Sequence, residues 1–144
     1  MTTQFSFSIF LVDDDPFYIE LLKQQLSTKG FQNVATFQNG VDCLNALGLK
    51  PDVIFLDHNM DTFSGYEVLK KIKRYDPNIF VVMVSGQEDI KTAVDSLKNG
   101  AFDYILKSEN DEQKISEVLS KIEQVKELQA RKKPGLLKSI FSIV

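Results

Sequence analysis

The chain has 144 residues, of which 43% are hydrophobic, and its formal net charge is −3 at pH 7. This length supports one ordinary core and is too short for two full domains. The negative charge predicts no direct binding to nucleic acid, which usually requires a basic surplus. No apolar run approaches the length that spans a bilayer, and the single Cys43 has no partner for an internal disulfide. We therefore expect a cytoplasmic, single-domain protein.

Five short apolar runs, separated by stretches with helical spacing, predict an alternation of strands and helices. The predicted strands are residues 9–12, 34–37, 53–56, 80–84 and 104–106. Strict alternation implies a parallel sheet covered by helices on both faces. Asp15 before Pro16 predicts an N-cap with proline in the first helical turn. Gly30 and Gly100 predict the ends of two helices.

A long final helix is predicted over residues 111–133, where apolar residues recur on one face. The tail, residues 136–144, restarts an amphipathic pattern whose apolar stripe must be buried somewhere. We divide the chain into a main domain, residues 1–126, and an extension with an amphipathic tail, residues 127–144. We expect the tail to pack on the domain or to form a homodimer contact with the last helix, and we do not expect it to contact a membrane.

Four of the five predicted strands are followed at once by polar functional groups. These are Asp13, Asp14 and Asp15 after the first strand, Asp57 after the third, Ser85 after the fourth and Lys107 after the fifth. When the first and third strands are neighbours in a doubly wound sheet, Asp13, Asp14 and Asp57 converge at its switch point. Carboxylates this close raise one another's pKa, so the cluster requires a cation. Hard carboxylate oxygens favour Mg²⁺.

Lys107 and Ser85 extend this site toward phosphoryl transfer. A metal ion and an ammonium group beside a carboxylate neutralise the oxygens of a phosphoryl group in transfer. The Ser85 hydroxyl adds a donor to one of these oxygens. In this arrangement Asp57 is the nucleophile and becomes an aspartyl phosphate.

Residues 13–15 also fit the Asp-x-Asp pattern of haloacid-dehalogenase-type enzymes, in which the nucleophile follows the first strand. Such an enzyme needs an acidic metal motif after a late strand as well. Here the fourth strand ends in Ser85-Gly86 and the fifth in Lys107-Ser108. We therefore disfavour this enzyme class.

Four separated motifs agree with one family in identity, order and spacing. They are FLVDDDP at 10–16, VIFLDHNM at 53–60, VMVSG at 82–86 and GAFDYILK at 100–107. Through them the chain resembles the receiver domain of bacterial two-component response regulators over about residues 8–126. The resemblance implies a flavodoxin-like, doubly wound α/β fold with five parallel strands in the order 2-1-3-4-5 and five helices.

The same resemblance implies roles for the site residues. Asp57 would be the phosphoacceptor, Asp14 a direct ligand of Mg²⁺, and Asp13 the holder of metal-bound water. The backbone carbonyl of Asn59 would be a further ligand.

The remaining roles concern the signal and its partners. Ser85 would be the switch hydroxyl, Tyr104 the switch aromatic, and Lys107 the lysine that pairs with the phosphate. A stand-alone receiver of this kind takes its phosphoryl group from a histidine kinase or a histidine phosphotransfer protein and acts on a downstream protein. It is not an enzyme beyond catalysing its own phosphorylation and dephosphorylation.

The chain departs from the family pattern at Asp61 and Ser108, where receivers commonly have proline. Asp61 adds negative charge near the site. Without proline, a cis bond between residues 107 and 108 would cost roughly 3 kcal/mol. These departures keep open an alternative, a pseudo-receiver that retains the fold as an interaction module and no longer accepts phosphate.

Overall fold

The computed structural model describes residues 7–60, 63–86, 90–107 and 111–132. Its strands are β1 Ile9–Val12, β2 Val34–Phe37, β3 Val53–Asp57, β4 Phe80–Ser85 and β5 Asp103–Leu106. Its α-helices are α1 Pro16–Thr28, α2 Gly40–Asn45, α3 Gly65–Tyr75, α4 Ile90–Lys98 and α5 Asp111–Lys132, and a short 3₁₀ helix covers Leu47–Leu49. The chain divides into two compact units, Met1–Glu112 and Gln113–Val144. In the second unit α5 continues as a helix in which Arg131 contacts Glu127 at 2.6 Å, one turn earlier.

The five strands form one parallel sheet in the order β2-β1-β3-β4-β5. The predicted doubly wound topology is thereby confirmed. Val12, the last residue of β1, is paired in register with Leu56 of β3. The residues that follow this pair, Asp13 and Asp57, therefore emerge side by side at the carboxyl edge, where the winding direction reverses.

The three central strands are buried at every position. This burial explains why β1, β3 and β4 read as continuous apolar runs rather than alternating ones. Helices α2 and α3 share one core cluster with the sheet, which includes Ile54 and Met83 from the strands and Leu69 and Ile72 from α3. Each such fully buried side chain stabilises the fold by roughly 1.5–3 kcal/mol. This cluster holds β1, β3 and β4 in place, and the carboxyl ends of these strands carry Asp13, Asp57 and Ser85.

The helix boundaries follow the predicted signals. Asp15 is the N-cap of α1, where its carboxylate accepts a hydrogen bond from the backbone N–H of Phe17 at 3.0 Å, and Pro16 is the first helical residue. Gly30 and Gly100, which follow α1 and α4, have φ angles of +96° and +103°, a region that favours glycine. Because the N-cap Asp15 directly follows Asp13 and Asp14, the first turn of α1 lies beside these two acidic residues.

Several predictions concern residues outside the described ranges. Asp61, Ser108 and the amphipathic tail, residues 136–144, are among them, so the predictions attached to them are untested. Across the part of the chain that the structure describes, no helix has the length and apolar character required to cross a membrane.

Candidate functional site

Three carboxylates meet at the carboxyl edge of the central strands. Asp13, Asp14 and Asp57 each present an oxygen within 4.8 Å of the others, and Asp13 and Asp57 are buried whereas Asp14 is exposed. The sequence predicted this convergence from strand order alone. The burial of two of the three groups distinguishes the cluster from acidic residues on an open surface.

Local backbone contacts hold these carboxylates in place. Asp13 accepts a hydrogen bond from the backbone N–H of Asp15 at 2.9 Å, and Asp57 accepts one from the backbone N–H of Asn59. Beyond Asp57 the chain runs close to the start of α3, where the Gly65 N–H donates to the His58 carbonyl at 2.9 Å. A Cβ atom on Gly65 would collide with the Asp57 carbonyl oxygen. The close approach at Gly65 thus fixes the backbone that carries Asp57.

Lys107 provides the positive charge of the site. Its Nζ lies 2.7 Å from Asp13 Oδ2 and 3.5 Å from Asp57 Oδ1. Burial lowers the pKa of Lys107, but its hydrogen bond to Asp13 and the charges of Asp57 and Asp13 outweigh burial and raise the pKa overall. Lys107 is therefore a stable cation that pairs with both buried carboxylates.

The Asp57 carboxyl has a strongly raised pKa. Burial and the charge of Asp13 raise its pKa to about 6, against the opposing effects of Lys107 and the Asn59 N–H. The Lys107 ammonium therefore does not offset the combined effect of burial and the Asp13 charge on Asp57. The shortage of positive charge and the convergent oxygen ligands fit a hard divalent cation such as Mg²⁺. The donor set that would hold it is Asp13, Asp14 and Asp57, with the Asn59 carbonyl as a predicted addition.

Ser85 and Tyr104 lie on the two strands beyond β3. Ser85 is the buried last residue of β4, and its carbonyl accepts a hydrogen bond from the Lys107 backbone N–H at 2.8 Å. Tyr104 pairs with Met83, which lies two residues before Ser85 on β4. Because side chains alternate along a strand, the Tyr104 and Ser85 side chains point to the same face of the sheet. The Tyr104 ring packs against the core cluster, and its buried hydroxyl has no hydrogen-bond partner among the described residues.

Two buried residues at this site were missed by sequence reasoning. The ring centroid of Tyr18, on α1, lies 4.3 Å from Lys107 Nζ. The Tyr18 hydroxyl donates to Asp111 Oδ2 at 2.9 Å, in a buried hydrogen bond between residues 93 positions apart. Burial and the adjacent Asp111 carboxylate raise the pKa of Tyr18 well above its usual range, so the phenol stays neutral. No local pattern singled out either residue.

The fold and the site together define a doubly wound α/β domain with an acidic pocket at its switch point. The family model for the response regulator receiver domain matches residues 9–129. The chain belongs to this family, as its four motifs predicted.

Known relatives agree with this assignment. The chain is 36% identical over 100 residues to the DNA-binding transcriptional regulator NtrC of Escherichia coli; the match covers 69% of this chain and 21% of NtrC, so the chain spans about a fifth of that relative's length. It is 33% identical over 100 residues to the chemotaxis protein CheY of Listeria monocytogenes, covering 69% of this chain and 84% of CheY. The crystal structure of the CheX–CheY–BeF3–Mg²⁺ complex from Borrelia burgdorferi superimposes with a TM-score of 0.74 at 26% identity, covering 81% of this chain and 88% of that one.

Proposed function

We propose that this chain accepts a phosphoryl group on Asp57 in a Mg²⁺-dependent reaction and signals through the resulting change of its surface. The observation that carries the proposal is the position of the Asp57 carboxylate. It is buried, it lies within 4.8 Å of oxygens from Asp13 and Asp14, and its Oδ1 is 3.5 Å from Lys107 Nζ. Phosphoryl transfer requires this combination of a nucleophile with charges that neutralise the transferred group.

The metal ion would be held by Asp13, Asp14 and Asp57 together with the Asn59 backbone carbonyl. Asp14 would be a direct ligand, and Asp13 would hold a water molecule of the ion. Bound Mg²⁺ would neutralise the carboxylates and the phosphoryl oxygens. Burial and the charge of Asp13 raise the pKa of Asp57, and a bound cation would favour the ionised carboxylate, which supports this proposal.

The chain's own residues then perform the transfer. An Asp57 oxygen forms the bond to phosphorus while the bond from phosphorus to the donor breaks, and the donor leaves with the electron pair. With a pKa of about 6, Asp57 is mostly ionised at pH 7 and available as the nucleophile. Lys107 and the Ser85 hydroxyl donate to the phosphoryl oxygens. The chain catalyses only its own phosphorylation and dephosphorylation.

The signal would be a shift between two populations of the receiver. Phosphorylated Asp57 draws Ser85 inward, and Tyr104 acts as the aromatic residue that follows it. The Tyr104 hydroxyl has no hydrogen-bond partner among the described residues, which supports a side chain that is free to move. A histidine kinase or a histidine phosphotransfer protein would supply the phosphoryl group, and a downstream protein would bind the altered surface. The Borrelia relative, solved with CheX, BeF3 and Mg²⁺, supports both the ligand class and a protein partner.

The domain limits belong to the same proposal. We assign the receiver to residues 1–126 and treat residues 127–144 as an extension whose tail packs on the domain or forms a homodimer contact with the last helix. The dimer contact stays a prediction.

Intact-mass spectrometry after incubation with acetyl phosphate and Mg²⁺ tests the proposal. We expect a gain of one phosphoryl group that disappears with a chelator and in Asp57→Asn. Asp95→Asn, a matched change on α4 outside the carboxylate cluster, should gain the group as the wild type does. A folded, Mg²⁺-binding wild type that gains nothing would contradict the proposal and favour a pseudo-receiver.

A further inference from the structure

Three groups contact the Lys107 ammonium, which has three N–H donors. Asp13 Oδ2 lies 2.7 Å and Asp57 Oδ1 3.5 Å from Nζ. The Tyr18 ring is the third group, with its centroid 4.3 Å from Nζ. This distance is well within the range of about 6 Å over which a ring face attracts a cation. The long Lys107 side chain is thereby held at the carboxylates rather than extended into solvent.

The Tyr18 ring is itself fixed. Its side chain is buried, which prevents free rotation, and its hydroxyl donates to Asp111 Oδ2 at 2.9 Å. Asp111 is also buried and is the first residue of α5. A hydrogen bond from a phenol to a carboxylate increases the electron density of the ring, which strengthens the attraction between ring face and ammonium. Tyr18 therefore combines a fixed position with a ring well suited to a cation.

We propose that Tyr18 is a positioning residue for Lys107: its ring face keeps the ammonium between Asp13 and Asp57, and Asp111 fixes the ring through the hydroxyl. The consequence for phosphorylation rests on the proposed function, in which Lys107 neutralises the transferred group. The contact between Tyr18 and Lys107 does not depend on that function. The two claims can therefore be tested separately.

The first test measures the contact by NMR in metal-free protein without phosphodonor. Protons held over a ring face are shifted upfield, so the Lys107 ε-methylene protons should be upfield of ordinary lysine positions. We expect Tyr18→Leu to abolish this shift, and Tyr18→Phe, which keeps the ring but loses the hydrogen bond to Asp111, to reduce it. Ordinary positions in the wild type would overturn the proposal, and this reading requires no variant to fold.

The second test measures the rate of phosphorylation by acetyl phosphate with Mg²⁺. We expect Tyr18→Leu to be about fivefold slower, the size expected from losing one partly desolvated cation–ring contact, and the rate of Tyr18→Phe, which keeps the ring but loses the hydrogen bond to Asp111, to lie between those of Tyr18→Leu and the wild type. The matched control is Tyr66→Leu on α3. Tyr66 has the same kinds of contact, with Lys70 Nζ 5.4 Å from its ring centroid and Asn99 donating to its hydroxyl at 2.7 Å, but it does not contact Lys107.

The combined results separate the two claims. An upfield Lys107 signal in a wild type that never gains a phosphoryl group would defeat the proposed function and leave the positioning role intact. Phosphorylation of Tyr18→Leu at the wild-type rate would overturn the positioning role and leave the proposed function standing. If Tyr18→Leu does not fold, the upfield shift of the Lys107 ε-methylene protons in the wild type and in Tyr18→Phe decides whether Tyr18 positions Lys107.

Discussion

Replacing Lys107 with methionine is expected to slow phosphorylation of Asp57 by about a hundredfold, the loss typical of removing one group that stabilises transition-state charge. Methionine retains much of the side-chain volume and removes the cation that lies 2.7 Å from Asp13 and 3.5 Å from Asp57. The rate is measured by intact mass at fixed acetyl phosphate and Mg²⁺ concentrations.

The control for this variant is Lys29→Met. Lys29 forms an ion pair with Glu112 at 3.2 Å outside the acidic site, and its removal should leave the rate within about twofold of the wild type, since exposed pairs contribute little. A Lys107→Met protein that is folded and slowed less than about threefold would show that the ammonium does not neutralise the transferred group.

Asp57→Asn is expected to stabilise the metal-free protein at pH 7 by about 2–3 kcal/mol. The folded-state pKa of Asp57 is about 6, raised by burial and by Asp13, whereas an aspartate in the unfolded chain titrates near 4. Relative to the unfolded chain, the folded state therefore disfavours the charged carboxylate, and asparagine removes that charge. The stability supplied by proton binding is fully present below about pH 4 and is lost as the pH rises through about 6.

Urea unfolding in chelator at pH 4 and pH 7 measures this effect. The gain in the free energy of unfolding should be present at pH 7 and nearly absent at pH 4. Mg²⁺ should then stabilise the wild type more than Asp57→Asn, because the variant has lost one of the three carboxylates. If Asp57→Asn lowered the free energy of unfolding at pH 7, the claim that the charged Asp57 carboxylate destabilises the metal-free fold would be wrong. Asp95→Asn is the control for a generic Asp-to-Asn change.

The sheet and its carboxyl edge could be predicted because parallel strands buried on both faces read as continuous apolar runs. The predicted limits of β1 and β2 match the observed ones, and those of the other strands differ by one residue. Asp57 and Ser85 account for two of these differences, since each is the last residue of its strand. Once the strand order is known, the meeting of Asp13 with Asp57 follows from the register of β1 and β3.

Helix orientation was less predictable. A helix was predicted between the fourth and fifth strands, and α4 lies there, yet its large apolar residues Ile90, Val94 and Leu97 are 77%, 41% and 46% exposed, whereas Ser96 is fully buried. Small side chains such as Ser96 let a helix approach the sheet closely, so the most apolar stripe need not face the core. Periodicity identifies the helix and cannot decide between such faces.

The Tyr18–Asp111 pair was beyond sequence reasoning for a different reason. Its two residues lie 93 positions apart, and no local pattern links a tyrosine in the first turn of α1 to an aspartate that begins α5. The perturbed pKa of Asp57 likewise depends on burial and on distances that exist only in the folded chain. Strand ends could be located from sequence, whereas the side chains packed around them required the three-dimensional structure.

The central claim is that Asp57 itself carries the phosphoryl group, and peptide mapping tests it most directly. The protein is incubated with acetyl phosphate and Mg²⁺ and then reduced with borohydride, which converts an aspartyl phosphate into homoserine. We predict homoserine at position 57 and at no other aspartate, with none formed when a chelator replaces Mg²⁺. Homoserine at Asp13 or Asp14 instead, or none in a folded protein that binds Mg²⁺, would contradict the account.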